Sequence, residues 1–211
     1  MISSQTKTPR AWLVRGSKDV RFKQWMLDEG YTGIDFREVG DLREAADLAA
    51  MRTVVARQYP GEKSGALGNY AAQLNAFANK IKAGDTVVLP MTSEGLLALG
   101  TVTGDYEYLP DSDGLKHVRK IEWVRTDVSR SSVNQDLLYS LGAFSTVCEI
   151  KRNDAEYRLR QLRAGAESDP GARAEVQLVL PPTDTEVVDS DEAIASDGQD
   201  IIRYSRDRII A

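Results

Sequence analysis

Residues 64–103 read SGALGNYAAQLNAFANKIKAGDTVVLPMTSEGLLALGTVT, and a change of rhythm halfway along this stretch decides the fold class. In its first half Ala71, Leu74, Phe77, Ala78 and Ile81 recur at the i, i+3, i+4, i+7 spacing of an amphipathic helix. That spacing predicts a helix over 64–82, with Gly84 as its stop. The second half switches to short apolar runs, 86–90 and 96–103, separated by turn residues, and these read as strands. The chain is therefore expected to be an α+β domain.

Working outward toward the N-terminus, Ala11-Trp12-Leu13-Val14 is a first strand that ends in a turn at Arg15-Gly16-Ser17. Residues 18–28 form a weakly amphipathic segment closed by Gly30, and 33–36 a second short strand. Residues 42–59 form a helix stopped by Pro60-Gly61. Toward the C-terminus, 117–127 and 146–150 read as strands, 134–138 as a short helix, and 154–163 as a charged helix with Arg and Glu at neighbouring turns. Residues 165–197 are rich in small, acidic, Pro and Gly residues, the composition of a flexible linker. From 198 to 211 helical spacing resumes through Ile201, Ile202, Tyr204, Ile209 and Ile210. This last piece reads as the start of a following domain, or as a terminal helix that packs back or mediates self-association.

The 211 residues leave room for one domain and a fragment of a second. The net charge of −5 would by itself argue against nucleic acid, but it is unevenly spread. Residues 1–164 hold 23 of the 27 basic residues and 21 of the 32 acidic ones, whereas 165–211 hold 4 basic and 11 acidic residues. The slightly basic domain and the acidic tail are read separately. One cysteine excludes an intramolecular disulfide, and one Cys with one His excludes a Cys/His zinc site. The first residues lack the apolar core of a signal peptide, and no window has the roughly 18 apolar residues of a membrane span, so the expected location is cytoplasmic, with no membrane partner.

No nucleophile elbow, phosphate loop or HExxH motif is present, so neither a catalytic residue nor a cofactor is assigned. Asp105, Glu107, Asp111 and Asp113 read as solvated turn carboxylates rather than metal ligands, and Cys148 as a small buried hydrophobe. His117 beside Lys116, Arg119 and Lys120 is either an exposed strand edge or a phosphate-contacting patch. Trp12, Tyr70, Tyr106, Tyr108 and Trp123, with Asn69, Gln73 and Asn75 on one helix, supply the aromatic faces and amides that a pocket for a planar base uses.

Residues 68–90, GNYAAQLNAFANKIKAGDTVVLP, followed by ALGTVTGDYEYLPD and later by IEWVRTDVSR, resemble the EVE-domain pattern of the PUA-like superfamily. With AWLVRG at 11–16, NQDLLYSLGAFSTVCEI at 134–150 and KRNDAEYRLRQL at 151–162, the chain from 11 to 164 also looks like the N-terminal domain of Mrr-like restriction endonucleases. The resemblance implies a small curved β-barrel flanked by helices, with a pocket for an extruded modified base. It nominates Val14, Arg15 and Gly16, then Asn69 and Tyr70, then Thr92 and Ser93, with Trp123 as a further candidate. Where the EVE pattern has Ser-Glu-Pro after its first strand, this chain has Arg15-Gly16-Ser17, which leaves room for Arg15 to contact a phosphate instead. In Mrr-like enzymes a PD-(D/E)xK nuclease follows, but no such catalytic core is present here, so this chain is not expected to cut DNA.

The expected function is therefore the DNA-recognition module of a modification-dependent restriction endonuclease, flipping a modified, cytosine-derived base out of double-stranded DNA. Lys18, Arg21, Lys23, Lys116, Arg119, Lys120, Arg125 and Arg130 are the expected backbone contacts. Two other classes stay open: a sensor of a small nucleotide or modified RNA base, and an oligomerisation or interaction module. Homodimerisation is open as well.

Overall fold

The computed structural model describes residues 8–17, 19–142 and 145–173. In chain order these form β1 (Ala11–Val14), α1 (Val20–Asp28), β2 (Tyr31–Ile34), α2 (Leu48–Gln58) and α3 (Ser64–Asn75). α3 runs on through a π-helical turn, Ala76–Lys80, into β3 (Thr86–Met91), β4 (Leu96–Tyr108) and β5 (His117–Ser129). After a 3₁₀ turn at Arg130–Ser132 come α4 (Gln135–Ser140), β6 (Val147–Glu149) and α5 (Ala155–Arg163). The fold is α+β, as expected. The strands make one six-stranded sheet in the order β2-β5-β4-β3-β1-β6. β1 and β3 are parallel, whereas the other pairings are antiparallel.

β1 is buried on both faces, so its four apolar residues alternate between two cores. Trp12 and Val14 join Leu42, Met51 and Val55 with Leu74, Phe77 and Ile81, from the α2 and α3 side. Ala11 and Leu13 join Val88, Leu97 and Leu99 with Leu137, Leu159 and Leu162, from α4 and α5. A third cluster sets Phe22 and Met26 of α1 against Leu89, Ala98 and Val118. The sheet also curls on itself: past β1, Gly16 forms a parallel bridge to Ile34 of β2, at the other end of the strand order.

Several boundaries differ from the sequence reading. The second strand is 31–34 rather than 33–36, because its backbone pairs residue for residue with His117–Lys120 of β5. The helix expected from 42 begins at Leu48, where the Asp47 carboxylate accepts the Ala50 amide at 2.8 Å and caps the first turn. β4 runs to Tyr108, so Asp105 and Glu107 lie on a strand and not in a turn. Past Ala164 the chain stays on the body: the Asp169 side chain is buried and binds the Arg158 guanidinium at 2.8 and 2.6 Å. The remainder of the expected linker and the 198–211 helix lie outside the described residues. Among the described residues no helix is long and apolar enough to cross a membrane.

Candidate nucleic-acid interface

Because β1 and β3 run parallel with Leu13 opposite Val88, the residues after each strand leave the sheet at the same end. These are Arg15–Gly16 after β1 and the exposed Thr92–Ser93 turn after β3. β6 runs antiparallel to β1, so its start reaches the same end, where the Arg15 amide donates to the Thr146 carbonyl at 2.9 Å. β5 finishes there too, the Arg130 amide donating to the Gly95 carbonyl at 2.9 Å.

Three cations gather around this end. The Arg15 guanidinium donates to the Leu141 carbonyl at 3.0 Å, and burial together with the nearby charge of Arg130 lowers its pKa. The Lys23 ammonium, on α1, donates to the Pro90 carbonyl at 3.3 Å, two residues before the Thr92–Ser93 turn. Glu94 of that turn is exposed. Gly16 makes the chain reversal with φ +67°, and a Cβ there would come within 2.3 Å of the Met26 methyl group.

α3 closes one side. Asn69 is exposed, and its carbonyl accepts from Gln73 Nε2 at 3.2 Å. Gln73 is buried, and its carbonyl accepts the amides of Thr146 at 2.7 Å and Val147 at 3.1 Å. One glutamine side chain thus ties α3 to the start of β6, and the Arg15 amide ties the end of β1 to the same Thr146. Gln73 and Thr146 are outside the nominated set; the i, i+4 spacing of Asn69 and Gln73 on one helix face is the sequence signal that points to the first of them.

Of the nominated pocket residues, Arg15 and Gly16 follow β1 and Thr92 and Ser93 follow β3 at this end, Asn69 is linked to it through Gln73, and Val14 is buried just beneath as part of the core. Tyr70 does not share the face of Asn69: one residue further on, it lies about 100° around the helix. Its ring packs edge-on against Phe36 and Tyr59, at 5.8 and 5.5 Å between centroids. Trp123 is also structural. Its Nε1 donates to the Met26 carbonyl at 2.9 Å, and its ring covers Gly100, where a Cβ would lie 2.9 Å from Cε3. The expected aromatic wall is therefore not supplied by these two rings.

The nominated backbone contacts scatter. Arg119 is 1% exposed and donates to the Phe77, Ala78 and Gly104 carbonyls, which corrects its reading as a phosphate contact. His117, likewise, is no exposed edge: it is fully buried. Its Nε2 faces the Phe36 and Val39 carbonyls at 3.2 and 3.1 Å, so that nitrogen must carry the proton. Nδ1 then accepts from the Tyr106 hydroxyl at 2.8 Å, while that hydroxyl accepts the Leu42 amide at 3.2 Å. Burial lowers the His117 pKa from 6.5. Arg21 pairs with Asp19, and Arg125 pairs with Asp127 and reaches the Leu162 carbonyl. Lys116 precedes the part of β5 that pairs with β2, and Lys120 lies within it, opposite Tyr31. Lys18 lies outside the described residues. Cys148 is half-buried rather than buried, and with Tyr139, Ser140, Ile150, Arg152 and Asn153 it lines a groove of about 650 Å³ beside β6.

Residues 12–150, from β1 to β6, match the family model described as Domain of unknown function (DUF8426), and the chain belongs to that family. No curated protein and no solved structure matches it.

Proposed function

We propose that this chain, as a member of that family, is a nucleic-acid-reading module: it binds duplex DNA at the sheet end formed by Arg15–Gly16, Thr92–Ser93 and Asn69, and accepts there a modified, cytosine-derived base. The observation that carries the reading is that the segments bearing Arg15, Thr92–Ser93 and Arg130 leave the sheet at one end, where the Lys23 ammonium reaches the Pro90 carbonyl and Gln73 ties Asn69 to the start of β6. Grouped cations suit phosphates, and amides and hydroxyls suit a base edge. The bridge from Gly16 to Ile34, which joins β1 to the far strand of the sheet, supports a curved, PUA-like barrel of the EVE kind. On this reading the chain belongs to a modification-dependent restriction system whose cutting domain is a separate one.

Fluorescence anisotropy at low salt tests the proposal with matched duplexes carrying cytosine, 5-methylcytosine or 5-hydroxymethylcytosine. Binding at least tenfold tighter to one modified duplex is expected. Equal affinity for all three would reduce the module to a nonspecific DNA binder. No binding at all would favour a second reading, an interaction module, which the groove beside the edge strand β6, with Tyr139 74% exposed on its wall, specifically supports.

A further inference from the structure

The amide chain from β6 to Asn69 has a fixed polarity. Gln73 sits between two backbone N–H groups, those of Thr146 and Val147, and a backbone N–H can only donate. The Gln73 atom that meets them must be its carbonyl oxygen, so its other atom, at 3.2 Å from Asn69, must be the NH2 group. Asn69 must in turn offer its own oxygen to Gln73. The Asn69 group left for the exposed side of α3 is then its NH2, a donor. This assignment follows from the two backbone donors alone and does not depend on how either amide is drawn.

We infer that Gln73 is a positioning residue that sets Asn69 with its NH2 toward the ligand, so that the base edge read at this site presents a hydrogen-bond acceptor. The inference rests on the base-reading site proposed above and adds its polarity. A cytosine-derived base offers a carbonyl oxygen and a ring nitrogen as acceptors and one exocyclic amine as donor. Asn69 reads the former and is indifferent to the amine.

The test uses the full chain, with duplexes carrying 5-methylcytosine or its analogue without the exocyclic amine, and unmodified duplex as reference. The quantity read is the ratio of affinities for modified duplex, with its base in the site, and unmodified duplex, held through its backbone alone. Asn69→Ala is expected to lower this ratio about 3- to 10-fold, the worth of one neutral hydrogen bond, and by the same factor on both modified probes. Gln73→Glu keeps an acceptor for both backbone N–H groups but replaces the NH2 by oxygen, so the Asn69 amide turns over. It should cost the same 3- to 10-fold, and adding Asn69→Ala to it should cost nothing more. Asn69→Asp, at an exposed position that tolerates the change, removes the donor without touching Gln73 and should reproduce the loss if Gln73→Glu does not fold. A loss with Asn69→Ala confined to the probe bearing the amine would show the Asn69 carbonyl facing the ligand and overturn the inference, as would full discrimination in both Gln73→Glu and Asn69→Asp. Equal binding of modified and unmodified duplex by the parent protein would instead defeat the base-reading proposal itself.

Discussion

Gly16 and Arg119 show what single residues contribute and how differently they read in the sequence. Gly16 follows a short strand and needs a left-handed backbone, φ +67°, pressed against the buried Met26. Gly16→Ala is expected to cost about 1–2 kcal/mol, seen as a lower urea midpoint with unchanged slope. An unchanged midpoint would mean that the turn relaxes freely. Arg119, by contrast, stands in a run of basic residues that looks like a surface patch. Its burial depends on carbonyls more than forty positions away in sequence: the π-helical turn after α3 leaves Phe77 and Ala78 oxygens without helical partners, and Arg119 Nε and Nη2 take them at 2.7 and 2.6 Å. No local spacing encodes that. Arg119→Ala should destabilise the fold by about 3 kcal/mol or more, measured by urea unfolding, because two buried carbonyls lose charged donors together. Preserved stability would return Arg119 to the surface.

Among the elements, those with strong local signals are legible and their ends are not. The apolar rhythm of 71–81 marks α3, and the AWLV run marks β1. The onset of α2 is set by the Asp47 cap and the register of β2 by its partner β5, neither of which hydrophobic periodicity records. The tie between α5 and the segment behind it was also hidden, since residues after 164 have the composition of a linker. Every donor of the Arg158 guanidinium is used: Asp169 takes Nε and Nη2, Asp136 takes Nη1 and Nη2, and the Asn153 carbonyl takes Nη1. Truncating one partner of a buried pair strands the other charge, so Asp169→Ala should cost about 3–5 kcal/mol in denaturant unfolding. A loss below about 1 kcal/mol would show that water replaces the carboxylate.

For the molecule as a whole, the unequal charge along the chain removes net charge as an objection to DNA binding, and the buried titrating groups set its pH response. His117 has a folded pKa below its unfolded value, so protons bind the unfolded chain first as pH falls. Stability should therefore begin to drop below about pH 6.5. A second loss is expected at lower pH. Hydrogen bonds from Arg158 hold the Asp136 carboxyl at about 2. Burial would raise Asp169, but Arg158 and the amides of Gly171 and Asn134 outweigh it and keep its pKa low. Depressed carboxyls stabilise the fold above the unfolded carboxyl value, near 4, and that contribution fades as pH falls toward about 2. Thermal unfolding from pH 8 to 2 should show the two steps, and His117→Gln should remove the first; a first step that survives this change would belong to another group. The proposed site was only partly legible at this scale. The segments after β1 and β3 leave the sheet at one end because the two strands run parallel, and Asn69 is linked to the start of β6 only through Gln73, while the rings of Trp12, Tyr70, Tyr106 and Trp123 pack in the core. The most direct test of the central claim is a ¹⁵N–¹H NMR titration of the protein with the modified duplex that binds best. The amides of Arg15, Gly16, Asn69, Thr92, Ser93, Arg130 and Thr146 should shift together, with those of Cys148 to Asn153 unmoved. Shifts centred on the Cys148–Asn153 groove, with the sheet end silent, would contradict it.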